Sequence, residues 1–208
     1  MSGIKNVFGS ASVQKDRGFS SPETLEAVYK TLEQGNCDTI DTATIYGASQ
    51  EYLGNTGAPK RFTIDTKAAC GIKPNGGGKA TILQDYEDSK KLLGVDQVDI
   101  WYLHAPDNDT PFEETLEAVN EVHKKGWFRR FGLSNFFAKD VQKIYDICKE
   151  KGYPLPSVYQ GNYSAVARKQ ESVLFPTLRK LGMVRLLLPA PTSAVSYTHL
   201  TLPTKRIV

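Results

Sequence analysis

The stretch VDIWYLHAPDNDTPFEETL, residues 98–116, decides the fold class of this 208-residue chain. It opens with Val98–Leu103, an apolar run of the length expected for a buried β-strand, which ends at His104. Further on, Thr110-Pro111-Phe112-Glu113 combines a capping box with a proline at the first helical position, which predicts the start of a helix. A strand followed closely by a helix is the unit from which parallel α/β sheets are built.

Strand and helix patterns alternate on both sides of this unit. Further strands are predicted at Ile4–Ala11, Thr39–Ala43, Phe62–Thr66, Trp127–Leu133 and Ser157–Gln160. Helices are predicted after a Ser21-Pro22 start, at Gln50–Leu53, Ala80–Leu93, Ala138–Lys151 and Glu171–Leu181. No Gly-x-Gly-x-x-Gly motif follows an early strand, so the fingerprint of the doubly wound dinucleotide-binding fold is missing. The alternation therefore predicts an α/β fold of the (β/α)8 TIM-barrel type.

This barrel is expected to be incomplete. The alternation supplies about six of the eight βα units that close such a barrel. After Met183 the run Val184–Leu188 has the composition of an apolar strand, but the sequence beyond it has no clean period. We expect a partial barrel over residues 1–183 and a tail over residues 184–208 that is not a domain.

Composition and charge argue against several classes of protein. The chain is 40% hydrophobic and 24% charged, and its net charge of +3 is spread along the sequence, so no nucleic-acid partner is expected. No apolar run approaches the length of a membrane span, and the N-terminus lacks the apolar core of a secretory signal. The three cysteines lie far apart and are odd in number, which favours a reduced, cytoplasmic location. The three histidines lack metal-ligand spacing, so no metal site is expected.

Four polar side chains stand at or just beyond the ends of predicted strands: Asp41, Tyr46, Lys67 and His104. The carboxyl ends of the strands form the mouth of a (β/α) barrel, where its chemistry takes place. A free tyrosine keeps its proton up to pH ~10, but a lysine ammonium nearby stabilises the phenolate. An aspartate can hold the lysine in place, and a histidine can orient a bound carbonyl oxygen. Each residue alone could be a packing or loop residue, but together they predict a proton-donating site.

Lys67, the glycine-rich segment 76–80 and Cys70 could also support other chemistry. Lys67 could form a Schiff base, but this leaves Tyr46 and His104 without a role. The segment Gly76-Gly77-Gly78-Lys79-Ala80 is similar to a phosphate-binding loop, but Lys73 stands where the first glycine belongs and an alanine replaces the final Ser or Thr. We interpret this segment as a flexible strand-to-helix loop near the mouth. Cys70 is near Lys67, and we expect an ordinary free thiol there.

These residues lie in motifs that resemble the signature of the aldo-keto reductases, and the chain is most similar to the aflatoxin-aldehyde reductase branch of that family. The motifs are Asp41-Thr42-Ala43-Thr44-Ile45-Tyr46-Gly47, Thr66-Lys67, Val98-Asp99-Ile100-Trp101-Tyr102-Leu103-His104-Ala105-Pro106-Asp107, Phe131-Gly132-Leu133-Ser134-Asn135 and Tyr159-Gln160-Gly161-Asn162-Tyr163. The resemblance extends from about Phe8 to Met183, and it is the set of motifs together that makes it specific.

The resemblance implies NADPH-dependent reduction of aldehydes and ketones to alcohols on a (β/α)8 barrel. Tyr46 would be the general acid, with Lys67 and Asp41 as the pair that tunes it. His104 would orient the carbonyl of a small-molecule substrate. The hydride would come from a nicotinamide bound across the mouth of the barrel.

The resemblance also implies which residues bind the cofactor. Ser134, Asn135 and Gln160 match the positions that hold the nicotinamide carboxamide, and Asp41 is expected to bind the cofactor with them. Serine, asparagine and glutamine offer the donors and acceptors that an amide needs. Ser134-Asn135 could instead be the N-cap of the helix at Ala138–Lys151, and one residue could serve in both ways.

The chain departs from the family after Met183. The family continues with a seventh strand, whose loop carries an aromatic residue that stacks on the nicotinamide, and with an eighth strand and a loop that binds the 2′-phosphate. Here Val184-Arg185-Leu186-Leu187-Leu188-Pro189-Ala190 follows instead, and the tail then resembles translated sequencing-adaptor sequence. We therefore expect a truncated chain of doubtful activity.

Two alternatives to a reductase remain open at this point. One is a non-catalytic nucleotide-binding barrel similar to the potassium-channel β-subunits, which keep the same four residues, and the other is an inert fragment. The identity of the carbonyl substrate and the choice between NADPH and NADH are not encoded in these motifs. Homodimers occur in the related branch, so a homodimer of the full-length protein is a further expectation.

Overall fold

A computed structural model of the chain describes residues 5–17, 19, 21–164 and 167–188. Seven strands form one parallel sheet: β1 (Val7–Gly9), β2 (Thr39–Asp41), β3 (Thr63–Ala68), β4 (Val98–Leu103), β5 (Phe128–Ser134), β6 (Pro156–Asn162) and β7 (Val184–Leu188). The helices are α1 (Pro22–Gln34), α2 (Ser49–Asn55), α3 (Lys79–Leu93), α4 (Phe112–Lys124), α5 (Ala138–Lys151), α6 (Gln170–Val173) and α7 (Phe175–Lys180). Short 3-10 turns occur at Lys15–Arg17 and Ala58–Lys60.

The strands neighbour one another in chain order, from β1 to β7. Parallel neighbours joined by helical crossovers are the arrangement of a (β/α)8 barrel. No pairing joins β7 back to β1 in the part of the chain that the structure describes. The predicted fold class, an incomplete (β/α)8 barrel, is therefore confirmed.

The last described strand lies at the predicted boundary between barrel and tail. β7 pairs with β6 along its whole length, from Val158↔Val184 to Asn162↔Leu188. The sheet thus has one strand more than the six counted before Met183. Residues 189–208 lie outside the described residues, so the proposed division at Met183 stays a prediction.

Local sequence predicts the cap of α1 correctly but not the cap of α4. Ser21 caps α1 as predicted, because its side chain accepts a hydrogen bond from the backbone N–H of Thr24. The predicted cap of α4 is wrong: its N-cap residue is Pro111, and the hydroxyl of Thr110 donates instead to Asp107.

The last predicted helix is divided in two. α6 ends at Val173 and α7 starts at Phe175, with Pro176 in the first turn of α7. Proline has no N–H to donate and clashes with the preceding turn, so an uninterrupted helix through this position would be strained.

The two faces of the sheet have different compositions. The helices cover one face in a large apolar cluster that includes Trp101, Trp127 and Phe131. Because side chains alternate along a strand, the other face carries Ile100, Tyr102 and a set of polar groups. This second face lines the interior of the barrel, and it leads to the residues predicted to carry the chemistry.

A glycine makes room for a large ring inside the barrel. Gly132 of β5 lies opposite Tyr102 of β4 in the sheet. A Cβ atom at Gly132 would lie 2.3 Å from Cδ1 of Tyr102. The interior at this level is therefore filled by the tyrosine ring and tolerates no side chain across from it.

Candidate active site

Asp41 and Lys67 meet at the mouth because of the pairing of β2 with β3. Asp41 is the last residue of β2 and lies opposite Asp65, two residues before Lys67 on the same face of β3. Nζ of Lys67 lies 2.5 Å from Oδ2 of Asp41 and donates to the carbonyl of Thr42 at 2.8 Å. Lys67 is fully buried and Asp41 is only 3% exposed. Burial of both partners fixes the ammonium group in one place.

Tyr46 lies in the turn that follows β2. Its backbone N–H bonds to the carbonyl of Ala43, and its own carbonyl accepts from Ser49 at the start of α2. The turn brings the half-buried ring of Tyr46 over the lysine, with Nζ of Lys67 5.0 Å from the ring centroid. The tyrosine can thus be reached from outside while its ring faces a buried positive charge.

His104 follows directly after β4 and faces the same tyrosine. The two ring centroids are 5.7 Å apart, and the planes are nearly perpendicular at 80°. Burial, and secondly the charge of Lys67, lowers the pKa of His104 to about 4. A neutral imidazole has one N–H donor and one acceptor nitrogen. Nδ1 of His104 is buried and has no hydrogen-bond partner among the described residues.

The structure therefore brings the four predicted strand-end residues together. Lys67 lies inside β3 and not at its end, because this strand runs to Ala68 and not to Thr66 as predicted. Asp41 ends β2, while Tyr46 and His104 lie in the loops after β2 and β4. Their arrangement is a buried charge pair with a tyrosine and a neutral histidine beside it.

Ser134 and Gln160 line the site from the next two strands. They are register partners on β5 and β6, and both are buried. Nε2 of Gln160 donates to Oδ1 of Asp41 at 3.1 Å. Asp41 thus accepts from Lys67 with one oxygen and from Gln160 with the other, which links β6 to β2.

Asn135 connects the same group to the histidine. Its Nδ2 donates to the carbonyl of His104 and to Oγ of Ser134, at 3.0 Å in both cases. Its backbone is left-handed, with φ of 63°, a conformation that asparagine adopts more readily than most residues. The N-cap interpretation of Ser134 and Asn135 is wrong, because the N-cap of α5 is Phe137 and has no side-chain cap hydrogen bond.

The donor set that results is suited to a carboxamide. Gln160 and Asn135 use their amino groups within the protein, and their carbonyl oxygens accept no hydrogen bond from any described residue. The hydroxyl of Ser134 accepts a hydrogen bond from Asn135 and donates to no group in the described part of the chain. Amide and hydroxyl groups of this kind can pair with both the N–H and the C=O of an amide ligand. The residues therefore fit the nicotinamide end of the implied cofactor.

A second buried carboxyl group, that of Asp65, lies beside the site and was not predicted from the sequence. It is 2% exposed, and its Oδ1 accepts the backbone N–H of Ile100 at 3.0 Å. Burial, and then the negative charges of Asp41 and Asp99, raises the pKa of Asp65 to about 7. Its position two residues before Lys67 places it on the same face of β3, a signal that a search limited to strand ends overlooks.

Two loops at the mouth are tied together by Asp107. Its carboxylate accepts hydrogen bonds from the backbone N–H of Gly77 at 2.8 Å, from that of Asp109 and from the hydroxyl of Thr110. A Cβ atom at Gly77 would lie 2.9 Å from Oγ1 of Thr115. The glycine segment is therefore a loop near the mouth, as predicted, and hydrogen bonds to Asp107 and from Thr115 attach it to the residues that follow β4. The N–H of Gly77 is occupied and is not free for a phosphate.

Cys70 is an unreactive thiol. It is buried, and it forms no disulfide in the part of the chain that the structure describes. Burial is the main reason that the pKa of Cys70 is raised to about 12. The expected ordinary thiol is confirmed.

No described helix combines the length and the apolar character needed to cross a membrane. No group of three or more His, Cys, Asp or Glu residues within the described ranges is placed to hold a metal ion.

Comparison with known proteins gives one consistent result. A sequence model described as "Aldo/keto reductase family" matches residues 7–187. The chain is 40% identical over 181 residues to "Oxidoreductase sirO" of Leptosphaeria maculans, with 85% of this chain and 54% of that protein covered. It is 38% identical over 191 residues to human "Aflatoxin B1 aldehyde reductase member 2", with 86% and 51% covered. It is also 38% identical over 183 residues to human "Aldo-keto reductase family 7 member A3", with 83% and 54% covered. The chain spans about half the length of the curated relatives it matches.

Proposed function

Because this chain belongs to the aldo/keto reductase family, we propose that its site serves the NADPH-dependent reduction of aldehydes and ketones to alcohols. The resemblance to that family and to its aflatoxin-aldehyde reductase branch is confirmed by the relatives it matches. One observation carries the functional proposal: the buried ammonium of Lys67, fixed by Asp41, lies 5.0 Å from the ring of Tyr46.

Tyr46 is the proton donor in this proposal. As a carbonyl is reduced, its oxygen gains negative charge and needs a proton, which the Tyr46 hydroxyl gives. The phenolate left behind is stabilised by the nearby charge of Lys67. Because the Tyr46 ring is only half-buried, the phenolate can recover its proton from solvent.

His104 orients the carbonyl oxygen. With its pKa lowered to about 4, its imidazole is neutral at physiological pH and offers one N–H donor without a competing positive charge. Its edge-on contact with Tyr46 allows both side chains to reach one oxygen atom. The proton of Tyr46 and the hydrogen bond of His104 therefore act on the same atom of the substrate.

Ser134, Asn135 and Gln160 would hold the nicotinamide carboxamide, with Asp41 behind them. When bound, NADPH supplies the hydride that becomes the new C–H bond of the alcohol. The hydrogen bond from Gln160 to Asp41 supports this assignment, because it joins the proposed cofactor residues to the charge pair beneath Tyr46. The preference for NADPH over NADH rests on the family resemblance alone.

The proposal extends to the substrate, the oligomeric state and the location of the protein. The substrate is a small carbonyl compound, and the full-length protein can form a homodimer as members of its branch do. A cytoplasmic location is supported by three cysteines that form no disulfide. The absence of a nucleic-acid partner stays a prediction from the charge pattern.

The proposal is tested by aldehyde-dependent oxidation of NADPH. The assay compares the 208-residue chain with a chimaera in which residues 1–187 continue into the matching C-terminal segment of the human aflatoxin B1 aldehyde reductase member 2. We expect turnover in the chimaera and a loss of about 10²–10⁴-fold in its Tyr46→Phe variant, the range for removal of a general acid. Tyr52→Phe on α2 is the matched control and should keep its activity.

The alternatives give different results in this assay. Undiminished turnover in Tyr46→Phe would remove Tyr46 as the acid. Saturable binding of NADPH without turnover on any aldehyde would favour a nucleotide-binding barrel of the channel-subunit type. A chimaera that folds and neither binds nor reduces would favour an inert fragment.

A further inference from the structure

Three ionisable side chains lie next to one another on the interior face of β2 and β3. Asp41 and Asp65 are register partners on the two strands, and Lys67 follows on the same face. All three are 3% exposed or less. Two carboxyl groups and one ammonium group therefore share a space from which water is largely excluded.

The lysine pairs with only one of the two carboxyl groups. Asp41 is engaged on both oxygens, by Lys67 and by Gln160. The carboxyl group of Asp65 accepts one hydrogen bond among the described residues, from the backbone N–H of Ile100, and forms no ion pair with any of them. When Lys67 and Asp41 are both charged they balance each other, so an ionised Asp65 adds a negative charge that nothing beside it compensates.

The other charged groups that face Asp65 do not neutralise the negative charge that it carries when ionised. The groups that face it are Asp41 from β2, Lys67 from its own strand, Asp99 and Tyr102 from β4, and Arg130 from β5. Arg130 is the remaining cation, but its guanidinium is paired with Asp99, 2.5 Å from Nη2 to Oδ2. Asp99 and Asp41 both oppose ionisation of Asp65, and burial opposes it most.

We propose that Asp65 is a positioning residue of the site, a second carboxyl group that acts through Asp41 to set how much of the positive charge of Lys67 reaches Tyr46. This inference rests on the proposed role of Tyr46 as the proton donor. With Asp65 protonated, the ammonium of Lys67 is offset by Asp41 alone. With Asp65 ionised, the same ammonium is offset by two carboxylates, and the phenolate of Tyr46 is less well stabilised.

As a consequence, proton donation by Tyr46 should depend on pH through the buried carboxyl group of Asp65 and not through a group at the mouth of the barrel. The pKa of Asp65, raised to about 7, places the change within the physiological range. Below that pH the carboxyl is neutral and proton donation by Tyr46 is favoured. Above it the added negative charge makes the same step slower, with His104 neutral throughout because its pKa is lowered to about 4.

A purely structural role for Asp65 has to be separated from this one. Its carboxyl accepts the N–H of Ile100, a bond that helps to hold β3 beside β4. In Asp65→Asn the side-chain carbonyl can still accept that bond, whereas the ionisable group is gone. Asp85→Asn is the matched control. Asp85 is also buried and also accepts a backbone N–H, that of Ala69, but the cation beside it is Lys73, which is not part of the site.

The first measurement is an NMR titration of the 208-residue chain that needs no activity. The side-chain ¹⁵Nζ signal of Lys67, assigned by its loss in Lys67→Met, is followed over about two pH units on either side of the pKa of Asp65. We expect a step that shares its midpoint with the carboxyl ¹³C signal of Asp65, that disappears in Asp65→Asn and that persists in Asp85→Asn. A Lys67 signal without this step, or a step that survives in Asp65→Asn, overturns the proposal.

The second measurement is the pH profile of kcat/KM in the chimaera that carries residues 1–187. The ratio of kcat/KM in Asp65→Asn to that in the unsubstituted enzyme should rise, by up to about tenfold, from one unit below to one unit above the Asp65 transition, and Asp85→Asn should show no such rise. A constant ratio overturns the proposal. Undiminished turnover in Tyr46→Phe would instead remove the proposed function, while the titration of Lys67 would still report whether Asp65 and Lys67 are coupled.

Discussion

Gln160 on β6 donates a hydrogen bond from Nε2 to Oδ1 of Asp41 on β2, a distance of 3.1 Å between residues 119 positions apart in the chain. Three strands lie between β2 and β6 in the sheet order, so the bond crosses the interior of the barrel. It satisfies the oxygen of Asp41 that Lys67 leaves free. The residue proposed to hold the cofactor therefore also completes the charge pair beneath the proposed acid.

Removal of this bond should destabilise the chain. Gln160→Leu leaves a buried carboxylate oxygen without its donor, which costs about 1–3 kcal/mol. Urea unfolding at neutral pH measures the loss. The control is Gln142→Leu, because Gln142 makes the equivalent bond to Asp146 on the exposed face of α5. The control should change stability by less than about 0.5 kcal/mol, and an equal loss in both variants would contradict the structural role of Gln160.

Breaking the buried ion pair should cost more than breaking a surface pair. Lys67→Met leaves Asp41 charged and buried, and we expect a loss of about 3–5 kcal/mol in the free energy of unfolding. Asp41→Leu combined with Lys67→Met should recover much of that loss, because no uncompensated charge then remains. Lys125→Met, which removes an exposed i,i+4 pair with Glu121, should cost less than about 1 kcal/mol. Additive losses in the double variant would count against the pair.

His104 should make the chain less stable in acid. Its pKa is lowered to about 4 in the folded state and is about 6.5 when unfolded, so the unfolded chain binds the extra proton first. Its contribution to stability is complete above pH ~6.5 and is lost as the pH falls towards about 4, a change of about 3 kcal/mol. The difference in unfolding free energy between His104→Asn and the unsubstituted chain, taken from urea unfolding curves, should therefore change by this amount across that range, while the difference for His123→Asn on the exposed end of α4 should stay constant.

Asp65 should make the chain less stable as the pH rises, over nearly the same pH range in which His104 makes it more stable. The pKa of Asp65 is raised to about 7 in the folded state, against about 3.9 unfolded, so its contribution is complete below pH ~3.9 and is lost as the pH rises through about 7. Asp65→Asn should therefore stabilise the chain by about 2–4 kcal/mol above that range. The slopes of His104 and Asp65 largely cancel in the unsubstituted chain. A flat profile that stays flat in both single variants would refute both assignments.

Much of the site was predictable from short-range patterns. The strand positions followed from apolar runs, and the polar residues at their ends pointed to the mouth of a barrel. The cap of α1 followed from Ser21 and Pro22, since both act on residues within one turn. Asp41, Tyr46, Lys67 and His104 were found because the barrel fold gathers strand ends in one place.

Other features depend on partners that lie far away in sequence. Thr110 has the pattern of a helix cap, but its hydroxyl donates to Asp107, whose carboxylate also accepts the N–H of Gly77, 30 positions earlier in the chain. Asparagine suits the left-handed backbone at position 135, but the hydrogen bond from its Nδ2 to the carbonyl of His104, 31 positions earlier, is not visible in the sequence. Asp65 was overlooked since its neighbours, Asp41 above all, come from another strand.

The hydrogen bonds of Asp107 have a consequence for protein engineering. They join the segment after β3 to the segment after β4 through Gly77 and Thr110, and the second of these segments begins at His104. The two segments therefore make up one exchangeable module. To change the substrate specificity by loop grafting, both segments have to be transferred together, with Asp107 included. Either segment transferred alone would lack the hydrogen bonds that define its conformation.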